Sequence, residues 1–158
     1  MAVSLDDLDL RIVDALLRDG RAPAAQIAEQ IGLSRPAVAD RIEKLERQGV
    51  IRGTTAVVEP GSLGKHVTAF ISARTPTLGA KAWAYFRELM TTDEILEVHT
   101  IAGDDCYLIK VRTDSIGSLS DLVNRLTAPP LSLSTRTTIV MQTHCEKVGG
   151  IVLGEEKR

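Results

Sequence analysis

The sequence predicts an α+β protein made of a helical part followed by a part that mixes strands and helices. Before about residue 60, apolar residues recur at helical spacing. After the segment Glu59–Gly64, which is rich in glycine and proline, apolar residues alternate at period two, as they do in half-buried strands. A chain of 158 residues is long enough for two small domains. We therefore predict a helical domain at 1–60, a second domain at 61–148 and a tail at 149–158.

The composition predicts a soluble, cytoplasmic globular protein with no membrane partner. Hydrophobic residues make up 44% of the chain and charged residues 25%. No apolar run approaches the roughly 20 residues of a membrane span, and the first residues lack the pattern of a signal peptide. Cys106 and Cys145 have neither a disulfide framework nor metal-ligand spacing. We therefore expect both thiols to be free in a reducing compartment.

Periodicity predicts three helices in the first part, at about 7–18, 24–31 and 35–48. Gly20, Gly32 and Gly49 follow them as stop signals, and Pro23 opens the second helix at a position where its missing N–H costs nothing. Ser34 precedes the third helix and is placed to cap it, because its hydroxyl can accept an orphan backbone N–H.

The spacing of Ala28, Gly32 and Val38 is the most specific signal in the chain. Two helices joined by a tight turn cross closely, so the first helix needs a small residue at the crossing. The turn needs a residue that tolerates positive φ, and the second helix needs an inward apolar anchor. This order predicts a helix-turn-helix within a winged or tri-helical DNA-binding unit. The structural alternative is an ordinary corner between two helices.

The face of the third helix that points away from its apolar residues is the candidate DNA-binding surface. The net charge of −2 argues against indiscriminate nucleic-acid binding, whereas between Ser34 and Gly53 five Lys or Arg stand against three Asp or Glu. A charged helix face is more commonly just solvated, so the turn spacing carries the inference. We expect Arg41 and Lys44 on the exposed side. The predicted DNA-binding residues are Ser34, Arg35, Pro36, Ala37, Asp40, Arg41 and Lys44.

After the third helix, 50–53 and 54–58 are predicted to be short extended segments that form a wing or a linking strand. The second part then has predicted strands at about 66–74, 95–102, 106–113 and 133–143 and helices at about 79–90 and 115–127. This βαββαβ order is that of the ferredoxin-like sandwich. RNA-recognition domains share the topology but need exposed aromatics on the third strand. Since Tyr107 is the one aromatic residue there, RNA binding is not expected.

Four stretches of the chain resemble the leucine-responsive regulator/AsnC (Lrp/AsnC, or feast/famine) family: Leu8–Val13, Ile31–Ser34, Arg41–Ile51 and Ala102–Leu108. The similarity extends from about Leu5 to Cys145. It implies a winged helix-turn-helix followed by a RAM domain, which senses amino acids. It also implies dimers that form through the C-terminal sheets and assemble into tetramers, octamers or larger discs.

The resemblance further implies an effector site near the contact between dimers, at the loop between the second and third strands. Gly103 and Asp104 match the family's Gly-Asp turn, and Tyr107 and Leu108 match the apolar pair that follows. The family often has an acidic residue where this chain has Cys106, which bears on effector identity. A carboxylate and free backbone groups could hold an amino acid there, although the turn could be merely structural. The predicted effector-binding residues are Ala102, Gly103, Asp104, Asp105, Cys106, Tyr107 and Thr137.

We therefore predict a sequence-specific DNA-binding transcription regulator whose activity or assembly responds to an amino acid or related metabolite. Two alternatives stay open: an effector-independent DNA-organising protein of the same fold, and a metabolite-binding module whose helical half docks protein. No nucleophile–base pair, phosphate-cradling loop or carboxylate pair suggests an enzyme. His66, His99 and His144 lack ligand spacing, so neither a metal nor another cofactor is expected.

Overall fold

The computed structural model describes residues 3–75 and 78–147, which divide into two compact units between Val57 and Val58. The first unit contains 3–57 together with 146–147, and the second contains 58–145. The predicted tail at 149–158 lies outside the described residues. None of the described helices combines the length and the hydropathy that a membrane crossing requires.

The first unit is a three-helix domain of α1 (Asp7–Arg18), α2 (Ala24–Ile31) and α3 (Arg35–Arg47). The bounds of α1 and α2 are those predicted. The cap of α3 is confirmed as well, because the Ser34 hydroxyl accepts the backbone N–H of Ala37 at 3.3 Å. The three helices enclose one apolar core of Ile12, Ile27, Ala28, Ile31, Val38 and Leu45.

The extended segments predicted at 50–53 and 54–58 are not strands. The chain turns directly after α3, where the backbone N–H groups of Val50 and Ile51 both bond to the carbonyl of Leu45, at 2.9 and 3.2 Å. These two N–H groups bond to a carbonyl at the end of the helix and are therefore not available to a strand partner. Residues 52–59 have no regular structure, and a 3₁₀ turn at Pro60–Leu63 follows.

The second unit has the predicted βαββαβ order, with all neighbouring strands antiparallel and the spatial order β2-β3-β1-β4. Strand β4 ends earlier than predicted, at Ile139. The elements are β1 (Val67–Arg74), α4 (Ala80–Leu89), β2 (Ile95–Thr100), β3 (Tyr107–Thr113), α5 (Ile116–Thr127) and β4 (Ser134–Ile139).

Both helices of the second unit cover one face of the sheet, and the core lies between them and the strands. Alternate residues of β1 are buried there, as predicted, with Phe86 of α4 and Leu122 of α5 packed against them. Helical periodicity predicts that Ile116 faces inward, but it is 57% exposed. It is the first residue of α5, directly after the Ser115 cap, and the buried residues of the helix begin one turn later at Leu119.

Candidate functional site

The turn between α2 and α3 has the geometry that its residue spacing predicts. Gly32 adopts φ 74°, a left-handed conformation that favours glycine, and donates its N–H to the carbonyl of Ala28 at 2.9 Å. The side chains of Ala28 and Val38 are both buried in the helical core. The small residue at the helix crossing, the turn with positive φ and the buried apolar anchor therefore occur together. They determine where α3 begins.

The N-terminal end of α3 is accessible to solvent. Ser34, Arg35 and Pro36 are exposed, Asp40 is exposed one turn later, and Ala37 is half-buried between them. This end carries the capped backbone and the small side chains that allow a helix to approach DNA bases. The structure therefore brings five of the seven predicted DNA-binding residues together on one accessible end of the helix.

Arg41 and Lys44 lie instead beside the start of α1. Nη1 of Arg41 donates to Oδ1 of Asp9 at 2.6 Å and to Oδ2 of Asp6 at 2.7 Å. Nζ of Lys44 lies 3.5 Å from Oδ2 of Asp9. The prediction that Arg41 lies on the exposed side of α3 is wrong: its side chain is only 27% exposed, because its guanidinium is paired with the buried carboxylate of Asp9.

Two residues of this cluster, Asp6 and Asp9, are partners of α3 that sequence reasoning missed. The backbone N–H of Asp9 and then the guanidinium of Arg41 hold the pKa of Asp6 below its usual value. The carboxylate of Asp6 in turn raises the pKa of Arg41, with Asp9 contributing next. The sequence signal was the position of Asp9 three residues before the buried Ile12, on the inward side of α1.

The predicted effector loop joins β2 to β3 and is anchored at its base. The N–H of Ile101 bonds to the carbonyl of Cys106 at 3.0 Å, and the N–H of Cys106 bonds to the carbonyl of Ala73 at 2.9 Å. Gly103 adopts φ 139°, which L side chains rarely occupy. Ala102, Gly103 and Asp104 are exposed. The loop therefore has an accessible tip on a fixed base.

The two aspartates of the loop differ in their surroundings. The Asp105 side chain is 16% exposed; it accepts a hydrogen bond from Nη2 of Arg136 at 2.7 Å and lies 3.9 Å from Nη2 of Arg74. Asp104 has no hydrogen-bond or ion-pair partner within 3–75 and 78–147. Arg136 and Arg74 were not predicted from the sequence. Their contact with the loop depends on how β1 and β4 pair, which no local pattern encodes.

The remaining predicted effector residues lie in different environments. The thiol of Cys106 donates to the carbonyl of Thr75 at 3.2 Å. The ring of Tyr107 packs edge-on against Phe86 with centroids 5.5 Å apart. Thr137 lies on β4 opposite Ile71, on the face of the sheet opposite to Arg136. The structure therefore brings Cys106 and Tyr107 to the base of the loop but places Thr137 further along the edge strand.

The described part of the chain contains no group of three or more His, Cys, Asp or Glu side chains placed to hold a metal ion. Within 3–75 and 78–147, the one carboxylate that His99 contacts is that of Glu97, at 3.1 Å.

Comparison with known proteins gives matches in both units. Residues 5–52 match a family described as winged helix-turn-helix DNA-binding, and residues 68–149 match the Lrp/AsnC ligand binding domain. The regulator FL11 of Pyrococcus abyssi is 37% identical over 92% of this chain and 95% of its own length. LrpA of Mycobacterium tuberculosis is 34% identical over 90% of this chain and 94% of its own length.

The structural comparison points the same way. The feast or famine regulatory protein from M. tuberculosis, solved in complex with L-methionine, has a TM-score of 0.81 and 32% identity. It matches over 90% of this chain and 96% of its own. The order of elements, the turn at Gly32 and the matches in both units lead to one conclusion: this chain belongs to the Lrp/AsnC family and is a helix-turn-helix transcription regulator with a ligand-binding domain.

Proposed function

We propose that this protein binds specific DNA sequences and that its DNA affinity or its assembly changes when an amino acid, or a closely related metabolite, binds the β2–β3 loop. The observation that carries the proposal is the accessible N-terminal end of α3, held on a complete helix-turn-helix. We further propose that the protein acts in the cytoplasm, and we assign it no catalytic role.

In this proposal the first two turns of α3 enter the major groove. The exposed guanidinium of Arg35 suits a guanine edge or a phosphate, and the small Pro36 and Ala37 allow close approach. The Asp40 carboxylate can accept from a cytosine amino group. The Lys44 side chain is 44% exposed, so its ammonium can reach a phosphate despite its proximity to Asp9.

The effector loop suits the charges of an amino acid. Asp104 offers an exposed carboxylate to an α-ammonium, and a charge-assisted hydrogen bond of this type is stronger than a neutral one. Backbone N–H groups near Gly103 can donate to the α-carboxylate. Cys106 in place of an acid favours an effector with an apolar side chain. The methionine complex of the M. tuberculosis relative supports this class of ligand.

We further propose that the protein forms homodimers, and from them tetramers, octamers or larger assemblies, through the sheet face that α4 and α5 leave uncovered. Phe70 of β1 and Leu108 of β3 lie on that face and are only half-buried within one chain. Apolar side chains on an open sheet face are typical of an interface. A dimer would bind two DNA half-sites about one helical turn, or a multiple, apart.

The proposal is tested by a thermal-shift screen of the twenty amino acids, followed by DNA-binding assays with and without the ligand found. A ligand that binds only the native state raises the apparent stability, so at least one amino acid should raise Tm and also change DNA affinity or assembly size. DNA binding that ignores every amino acid would favour the effector-independent DNA-organising protein. Loss of any salt-dependent DNA binding would favour the protein-docking module.

A further inference from the structure

The Asp9 carboxylate is a buried charge within the DNA-binding unit. Its side chain is 1% exposed, and a buried carboxylate is strongly unfavourable unless it is paired and hydrogen-bonded. Nη1 of Arg41 supplies the close partner at 2.6 Å. Lys44 lies at 3.5 Å from the other carboxylate oxygen, at the outer limit of a hydrogen bond. The guanidinium of Arg41 is therefore the main hydrogen-bonding counter-charge of the Asp9 carboxylate.

The same nitrogen of Arg41 also binds the cap of α1. It donates to Oδ2 of Asp6 at 2.7 Å, while Oδ1 of Asp6 accepts the N–H of Asp9 at 2.7 Å. The Asp9 side chain accepts the N–H of Asp6 in return, at 3.4 Å, which completes a capping box. The guanidinium of Arg41, in the middle of α3, is thus hydrogen-bonded to both residues of the capping box at the start of α1.

This arrangement restricts what Arg41 can do on DNA. Moving the guanidinium to a base or phosphate would leave Asp9 buried without its main counter-charge. Arg35, on the first turn of the same helix, is exposed and has no ion-pair partner within the described residues. Arg35 and Arg41 therefore have different environments, although both belong to the predicted DNA-binding set.

We propose that Arg41 is a positioning residue that does not contact DNA: it neutralises Asp9 and fastens the middle of α3 to the start of α1, so that the first turn of α3 is presented to the groove. This inference rests on the proposed role of α3 in DNA binding. It predicts that removal of the Arg41 guanidinium weakens DNA binding through the orientation of the helix, while the protein still neutralises the same phosphates.

The test compares Arg41→Gln, Asp9→Asn and the double variant Asp9→Asn/Arg41→Gln in the full chain, with Arg35→Gln as the matched control. The duplex is one recovered from a random pool by the wild-type protein. The slope of log affinity against log salt is negative, and its magnitude falls by about 0.9 for each phosphate that the protein no longer neutralises. We expect Arg41→Gln to keep the wild-type slope while lowering Tm by about 5–10 °C, and Arg35→Gln to keep Tm while reducing the slope.

The double variant removes the charges of Asp9 and Arg41 together and leaves no buried carboxylate unpaired, since the remaining carboxylate, that of Asp6, is 52% exposed. It should recover Tm relative to Arg41→Gln, recover part of the missing DNA affinity and keep the wild-type slope. If Arg41→Gln unfolds, the slope of the double variant decides the question. A slope reduced by about 0.9 in either protein would overturn the inference, as would additive effects of the two substitutions on Tm. Absence of DNA binding by the wild type would contradict the proposed function instead, and the Tm coupling would still test the link between Asp9 and Arg41.

Discussion

Arg136 on the last strand donates a hydrogen bond to Asp105 in the β2–β3 loop at 2.7 Å, across 31 residues of sequence. One of the two adjacent loop carboxylates, that of Asp105, therefore already has a hydrogen-bond partner within the protein. Asp104 stays exposed beside it. We therefore predict separable roles for the two aspartates: Asp105 holds the loop against the sheet, and Asp104 is the carboxylate that a ligand can reach.

We predict that Asp104→Ala abolishes the amino-acid response and leaves DNA binding intact. The exposed side chain contributes little to stability, whereas removal of a charge-assisted hydrogen bond to an ammonium costs on the order of 1.5–3 kcal/mol of binding free energy. Calorimetry on both proteins measures the difference. Asp121→Ala, at an exposed aspartate of α5, is the control and should bind like the wild type. Equal effector affinity in wild type and Asp104→Ala would assign Asp104 to the turn alone.

Substitution of Gly103 is predicted to damage both the fold and the response. At φ 139° any side chain is strained, even though a Cβ there would meet no heavy atom of the described residues within 4 Å apart from its chain neighbours, so Gly103→Ala should cost about 1–3 kcal/mol of unfolding free energy. A β-branched residue should cost more. Gly117→Ala is the control, because Gly117 lies inside α5 without a positive φ, and a Cβ there would meet only Oγ of Ser115, at 3.6 Å, an ordinary contact. Urea titrations should separate the two, and similar losses at both positions would argue against a backbone requirement at Gly103.

The sequence predicts those parts of the fold that local chemistry determines. Helices α1 and α2 begin and end where predicted because their caps and stops, such as Gly32, act within a few residues. The alternation that buries Ala69 and Ile71 likewise needs only the pleat of one strand. The order of elements then leaves few topologies, and the ferredoxin-like arrangement is one of them.

Contacts between distant segments could not be predicted in the same way. Arg41 bonds to Asp9, which lies 32 residues earlier in the chain. An arginine that points into solvent and an arginine that forms an ion pair occupy the same kind of position in a helical sequence pattern, so the pattern does not distinguish them. The position of Thr137 on the sheet depends on the register of β4 against β1, which a single sequence does not specify. The segment at 50–58 has strand-like composition, but its first donors bond to the end of α3.

The second unit is predicted to fold and self-associate on its own. Residues 64–145 contain the whole sandwich and its core, so light scattering on this fragment should detect a dimer or larger species. Phe70→Lys places a charge on the uncovered sheet face and should shift the fragment toward monomer. Ala84→Lys places the same charge on the exposed side of α4 and should not. A wild-type fragment that stays monomeric at high concentration would contradict the proposed interface.

The core of the second unit is predicted to depend strongly on Phe86. Its side chain is 0% exposed and contacts the rings of Trp83 and Tyr107. Phe86→Ala should reduce the free energy of unfolding by about 3–5 kcal/mol, because the apolar transfer energy of the ring is lost and a cavity is left behind. Ile116→Ala should cost less than about 1 kcal/mol, because Ile116 is 57% exposed. Chemical denaturation measures both, and equal costs would mean that Ile116 packs inward.

Acid is predicted to weaken the start of α1 through Asp6. Its pKa in the folded protein is lowered, first by the N–H of Asp9 and then by Arg41, relative to about 4 in the unfolded chain. A group with a depressed folded pKa stabilises the protein above the unfolded pKa, and that stabilisation is lost as pH falls through the folded value. Asp6→Asn should therefore be less stable than the wild type at pH 7, and the difference should close as pH falls below about 4.

The Asp6→Asn variant should still lose some stability on acidification, because the carboxylates of Asp114 and Glu97 also have lowered pKa values. The pKa of Asp114 is lowered by the hydroxyl of Ser118, and that of Glu97 by His99 and then Lys110. The diagnostic quantity is therefore the difference between the two pH profiles, measured by urea denaturation at moderate salt from pH 7 downward. A difference that stays constant through the acid range would mean that the charge of Asp6 plays no part. Asp6→Asn would then act only by weakening the hydrogen bonds of the cap, independently of charge.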